Sequence, residues 1–445
     1  MELDAPAGDN LSLVPLTDTN PDSNIVEVTL VASPGKVEYL PGKPADVWAY
    51  RDGAIEGAPV RVPGPLLEAN VGDRVIVHFR NELPDGTTVH WHGLRLPAAM
   101  DGARGAILRD SSFDYEFTAG DPGTFWYHPH IESDEQIERG LYGPIVVHEG
   151  PDHAGERHLV LDDVRLNDDG TLSTEVTEQD IEAGRHGNIL LVNGKSSATM
   201  RVAPGSLERW RLTNAANGRY FDLALPGHTF EVIGWDGGLL GERYTTERLL
   251  IAPGERYDVL VALEGAPASR LALTTAHYDP GHGMPDPGPL TVLELAFDDE
   301  APVRSSARER SEPIEPLPVD ASTVVRPFVL TEDIHGKYGP QFFINGEFWP
   351  FNTAIDAVRG DLEIWEIRNA APADHPFHLH GMFFQVLDRD GIAEARVGWK
   401  DTVLVRREST LRFAVRYEEP GLWMYHCQVP EHAERGMMGE VLVGP

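Results

Sequence analysis

The chain has 445 residues, 41% of them hydrophobic, with 37 basic and 71 acidic side chains and a formal charge of −34. That length suits two or three globular domains, and no run approaches the roughly 18 consecutive apolar residues of a membrane span. So acidic a surface repels phosphate backbones, which argues against nucleic acid as a partner. The 44 Gly and 35 Pro, with few long amphipathic helical patterns, point to short strands and many turns, hence an all-β chain of β-sandwiches. Cys427 is the one cysteine, so no intrachain disulfide can form.

From the N-terminus, Met1-Glu2-Leu3-Asp4-Ala5-Pro6 has neither a basic region nor an apolar core and is not a signal peptide. Residues 1–24 read as a loosely ordered arm. Domain 1 is expected over 25–150. In it Gly72 opens an alternating apolar run that closes at Asn81, the pattern of a turn followed by a strand with two unlike faces. His90-Trp91-His92-Gly93, Met100-Asp101-Gly102 and Gly123-Thr124-Phe125-Trp126-Tyr127-His128-Pro129-His130 follow.

Beyond Gly150-Pro151-Asp152 the run returns from Gly205 to Asn214, in a domain expected over 151–297. Its Gly254-Glu255-Arg256-Tyr257-Asp258 matches the turn and strand of Gly123–His128 but carries no His, so this domain is expected to hold no metal. Its Gly/Pro-rich segment His277–Met284 lines a substrate entrance, holds an accessory metal, or is an ordinary surface loop. A surface linker is expected over 298–320, where Pro302, Pro313, Pro316 and Pro318 stand among charged residues. In the last domain, 321–445, the run goes from Gly360 to Asn369. Then come His375-Pro376-Phe377-His378-Leu379-His380 and Gly421-Leu422-Trp423-Met424-Tyr425-His426-Cys427-Gln428, with His432 and Met437 beyond. Copies this far apart mean repeated whole domains rather than a solenoid.

On a strand, residues i and i+2 share a face, so each His-x-His can aim two imidazoles at one metal or at two adjacent ones. A lone pair of this kind is usually packing. Three pairs at equivalent places in two repeated domains point to metal binding. Cys427, His432 and Met437 lie five residues apart in turn and, with His375, make up two imidazoles, a thiolate and a thioether, the ligands of a blue-copper electron-transfer site. Zinc sites usually show paired Cys and have no use for Met. Pro430 can open a short helix that aims His432 back at the metal.

These four clusters, in this order from Pro63-Gly64-Pro65 to Met437, resemble the signatures of the multicopper oxidases, and the chain looks like a bacterial three-domain laccase. The resemblance implies three cupredoxin-like Greek-key β-sandwich domains and four copper ions. One, of type 1, lies in the last domain; the trinuclear cluster of the others is clasped between the first and last. By the same resemblance, His375, Cys427, His432 and axial Met437 bind the type 1 copper, and His90 and His378 the type 2 copper. His130, His380 and His426 bind one type 3 copper; His92, His128 and position 428 bind the other. Electrons pass from Cys427 through its neighbours, His426 among them.

Where the family has His, this chain has Gln428, whose amide cannot reproduce an imidazole; partial loss of that copper and slow O2 reduction are expected. Asp101 is either the acid that relays protons to reduced oxygen or a plain Asp-Gly turn. Ala433 takes the place of an acid that some relatives have, with Glu434 one step on. The implied substrates are O2 and small aromatic electron donors, phenols or amines, that reach an exposed edge of His432 through a crevice. The native form is expected to be exported, to the periplasm or the cell exterior. A cuprous or other metal-ion oxidase ranks lower, because the eight Met do not cluster before Met437-Met438. A non-catalytic cupredoxin-like protein ranks lower again, because such relatives lose most ligands. A two-domain nitrite reductase has no use for the third domain.

Overall fold

A computed structural model describes residues 10–150, 153–305 and 313–445. The architecture is all-β: six sheets stand in three pairs, with four and four strands, six and five, and six and five. The Gly-to-Asn runs are the strands Arg74–Asn81, Leu207–Asn214 and Leu362–Asn369. Each has a parallel neighbour on one side (Ile25–Leu40, Glu156–Val164 and Val324–Asp333). On the other side each has an antiparallel one (Ser112–Thr118, Arg256–Ala262 and Thr410–Arg416). The three sandwiches are thus the same fold, and each closes over its own apolar core, around Trp91, Trp210 and Trp365 in turn.

The repeated Asn has a physical role. Asn81, Asn214 and Asn369 are all buried. Asn369 donates to the carbonyls of Ala373 and Val405 and accepts from the backbone N–H of Ala371. Asn214 does the same with Arg219, Ile251 and Ala216, and Asn81 with Asp85, Ile107 and Leu83. Each amide staples the loop that leaves its strand, satisfying three backbone groups that burial would otherwise strand. In the outer sandwiches that loop leads to the histidine strands His90–His92 and His375–Leu379.

Helices are few and short: α1 (Ser133–Glu138), α2 (Glu178–Ala183) and α3 (Pro430–Ala433). Pro430 does occupy the first turn of α3. None is long and apolar enough to cross a membrane. The expected loose arm is tied down from residue 10 onward. Leu11 and Leu16 are buried, Asn193 donates to the Leu11 carbonyl, the Leu16 N–H donates to the Leu66 carbonyl and the Leu66 N–H to that of Val14. Apolar contact and backbone pairing supply what composition did not reveal; residues 1–9 lie outside the described residues. The linker also hugs the surface: Val303 and Ser305 pair with Leu207, and Gln385 holds both Glu315 and Leu317. Residues 306–312, and the boundary at Pro151-Asp152, lie outside the described residues.

Asn214, in the sandwich without His pairs, isolates the staple from metal binding. Asn214→Ala leaves two carbonyls and one N–H without partners and is expected to cost about 3 kcal/mol. The urea midpoint of the metal-free protein measures it; an unchanged midpoint would refute the staple.

Candidate metal centres

The geometry follows from the two-residue period of a strand. In His90-Trp91-His92 the indole turns into the core of the first sandwich and both imidazoles turn out. In His375–Leu379, Phe377 and Leu379 face the core of the third sandwich, and His378 faces the other way. His90 lies opposite His128 on one ladder, and His378 opposite His426 on the other. The outward faces meet. His90 stacks on His380 and His92 on His378, each at 3.8 Å between ring centroids, while His90 and His378 lie 5.7 Å apart.

Seven imidazoles converge in this seam. His426 Nε2 lies 3.2 Å from His130 Nε2 and 3.0 Å from His380 Nε2, and His128 Nε2 lies 3.4 Å from His92 Nδ1. The outer nitrogens of six rings meet oxygen. His90 Nδ1 donates to the Asp101 carbonyl, His378 Nδ1 to that of Asp401, His128 Nδ1 to that of Pro129 and His426 Nδ1 to that of Cys427. His380 Nδ1 meets the Asp101 carboxylate at 2.8 Å, and His92 Nε2 meets Thr402 Oγ1 at 2.9 Å. Holding the outer nitrogen as the donor leaves the inner one as a lone pair, the arrangement of metal-binding histidines. Burial and like neighbours push the His128, His130 and His426 imidazolium pKa values well down, so these rings stay neutral. His90 Nε2 and His378 Nε2 are buried and have no hydrogen-bond partner.

Cys427 is next to His426 in sequence and so faces the opposite way, into the third core. Its Sγ lies 3.5 Å from both His375 Nδ1 and His432 Nδ1, which are 3.2 Å from each other. Burial pushes the thiol up and pushes the His375 imidazolium down to about 3. A cation is what would hold the sulfur as thiolate among neutral imidazoles. Met437 is buried in the same core, and its carbonyl accepts from the Cys427 N–H. The unpartnered inner nitrogens and the sulfur-and-imidazole set fit copper at both centres.

The multicopper oxidase family profile matches in three segments, residues 43–152, 147–279 and 326–445. The chain belongs to the multicopper oxidase family. It is 30% identical over 424 residues to multicopper oxidase MmcO of Mycobacterium tuberculosis, covering 84% of this chain and 80% of that one. Among solved structures it resembles a Campylobacter jejuni multicopper oxidase described as a metallo-oxidase (TM-score 0.86, 27% identity, 99% of this chain and 96% of that one). It is similar also to a laccase from Pediococcus acidilactici (TM-score 0.85, 28% identity, 99% and 95%). Copper is thus the cofactor of this oxidase, and oxygen the acceptor.

Gln428 is buried beside His92. Its N–H donates to the Pro376 carbonyl, and its Oε1 has no partner. A Cβ on Gly254 would lie 2.5 Å from Gln428 Cγ, and Gly254 has φ +80, so both space and backbone call for glycine there. Asp101 is no simple turn. Its carboxylate meets His380 and also His90 (3.3 Å); burial opposes its ionisation, but those rings outweigh burial and hold it well below the usual carboxylate range. Glu434 is drawn elsewhere, accepting from Ser133 N and Oγ, both at 2.8 Å. The His277–Met284 segment packs on the third sandwich. Its Pro280 carbonyl takes the Asp374 N–H, next to His375, and His282 Nε2 lies 2.9 Å from Glu332.

One expectation fails. His432 does not present an exposed edge: it is 1% exposed, and its Nε2 meets the Glu182 carbonyl of α2 at 3.2 Å. Helix α2 comes from the middle sandwich, so nothing local to His432 announced it. The histidine reading also missed Asp401, Thr402 and Arg256. Their one sequence signal is charge inside apolar strands, in Trp399-Lys400-Asp401-Thr402 and Glu255-Arg256.

In the oxidised, copper-loaded oxidase, Cys427→Ser is expected to abolish the intense blue thiolate absorption while far-ultraviolet circular dichroism stays the same. Blue colour that survives the change would overturn the assignment of the sulfur.

Proposed function

We propose that this oxidase takes electrons one at a time from small donors at a type 1 copper held by His375, Cys427, His432 and Met437. It passes them to O2, which is reduced to water, at the histidine seam. In this reading residues 25–150 and 321–445 share the cluster, and 151–297 holds no copper. The observation that carries it is the adjacency of His426 and Cys427, neighbours on one strand that face two different centres. Copper supplies the one-electron couple at the first centre and the site of oxygen reduction at the second.

The protein's own groups do the rest. The His426–Cys427 peptide, with the His426 Nδ1 to Cys427 carbonyl hydrogen bond (2.8 Å), is a short path for an electron. Asp101 orients His90 and His380 from opposite sandwiches, and its buried carboxylate serves as the group that relays the protons O2 reduction consumes. Gln428 leaves His92 and His128 without a third imidazole, so this position binds copper weakly. Gln428→His is expected to raise copper per chain and O2 consumption together. Four coppers and equal turnover in the chain as it stands would mean that the amide serves.

The cover over His432 bears on the donor. A bulky neutral phenol cannot touch the imidazole, and electrons reach His432 through the Glu182 carbonyl. The outer face of α2 and its approach carry exposed Glu175 and Glu178 on a chain of charge −34. This favours a cationic donor such as cuprous ion over neutral phenols. For cationic donors kcat/KM is expected to fall steeply with salt, and for a neutral phenol to stay low and flat. A phenol that outperforms cuprous ion at every salt concentration would overturn this donor preference.

A further inference from the structure

We propose that Arg256, on the sandwich without copper, is a positioning residue of the cluster, acting through Asp401. The inference rests on the reading of His92 and His378 as copper ligands. Arg256 is fully buried, and its guanidinium touches all three sandwiches. Nε donates to the Thr124 carbonyl of the first. Nη1 and Nη2 reach the Gly254 and Asp236 carbonyls of its own. The same two nitrogens grip Asp401 of the third in a two-pronged pair, 2.6 Å on each arm. That planar fork is a geometry that lysine cannot reproduce.

Asp401 in turn meets the ligands. Its Oδ1 lies 3.3 Å from His92 Nε2 and 3.5 Å from His378 Nδ1, and it accepts from Thr402 Oγ1 at 2.8 Å. Thr402 Oγ1 sits 2.9 Å from His92 Nε2 and 3.1 Å from His378 Nδ1. Asp401 and Thr402 therefore hold two stacked rings that come from different sandwiches. His92 is the ring that depends on them most. It is the one that would bind through Nδ1, so its proton must stay on Nε2, and an acceptor there keeps it in place. Asp401 can play that part only while its direction is fixed, and Arg256 fixes it.

The surroundings bear this out. Lys400 pairs with Asp236 at 3.0 Å and Glu255 at 3.2 Å, so three buried carboxylates face two buried cations. Burying charge in this number costs more than pairing returns in stability, so the cluster is poorly explained as a staple alone. Its one surplus negative charge lies beside the rings that would hold a cation. With Gln428 in the third ligand position, His92 and His128 carry that copper alone, and the orientation of His92 matters more.

The test uses the full chain, stripped of copper and titrated with cuprous ion. It compares wild type with Arg256→Lys and with the double variant Arg256→Met/Asp401→Asn, which removes one charge of each sign and so keeps the net buried charge of the cluster unchanged. Blue absorption per chain after oxidation reports the Cys427 centre as an internal control. Long-range 15N–1H spectra of histidine-labelled protein, with His92 assigned by its loss in His92→Gln, report the tautomer without any metal. In both variants the His92 Nε2–H tautomer should lose dominance and cluster copper should bind about 10–100-fold more weakly, while the blue centre stays full. Wild-type tautomer and affinity in either folded variant would overturn the proposal. So would parallel loss of both centres, which marks a structural role only. If wild type itself takes up copper at the blue centre alone, the ligand reading fails instead, and the tautomer spectra still judge Arg256.

Discussion

Successive side chains on a strand point to opposite sides of a sheet, and the rest of this molecule depends on that constraint. His426 and Cys427 are neighbours, yet one belongs to a seam between sandwiches and the other to the core of a sandwich. The same alternation turns Trp91 inward between His90 and His92, and sets Phe377 and Leu379 against His378. Each histidine strand is thereby anchored by apolar side chains on one face and free to present nitrogen on the other. Shifting any of these strands by one residue would exchange the metal face for the core face. The stapling Asn residues guard against it, because Asn81 and Asn369 fix the loops that feed the strands.

The seam is costly to build, since seven imidazoles and Asp101 are all taken out of water. The structure meets the cost by giving nearly every outer nitrogen an oxygen and leaving the inner ones for metal. No single sandwich could do this. Asp101 of the first sandwich holds His380 of the third, and Asp401 of the third holds His92 of the first, so the carboxylate contacts cross the seam in both directions. The middle sandwich contributes no nitrogen to the cluster. Arg256 and α2 give it contact with both centres all the same.

That contact changes the view of the electron donor. His432 follows Cys427 by five residues, and so short a loop usually lies at the surface. Here the middle sandwich lays α2 over it, secured by the Thr177–Asp180 capping box and the grip of Arg165 on Asp180. The carbonyl of Glu182, rather than solvent, is what the outer nitrogen of His432 meets.

The sequence by itself determined the all-β class, the three repeats and which histidines, cysteine and methionine stand as candidate donors. Those depend on local period and on side-chain chemistry, which a linear pattern carries intact. It also singled out Gln428 beside the histidines, since the identity of a side chain needs no coordinates. Asp101 stood on the border: its neighbours suggested a turn as readily as an acid at work, and only the fold brings its carboxylate to His90 and His380. Tertiary structure alone decided the burial of His432, the anchoring of residues 10–24, and the contacts of Arg256, Asp401 and Thr402. In each case the partner lies far along the chain, and for His432 and Arg256 in another sandwich, where packing depends on surface shape and on charges left facing one another. No repeat or spacing along the chain records that.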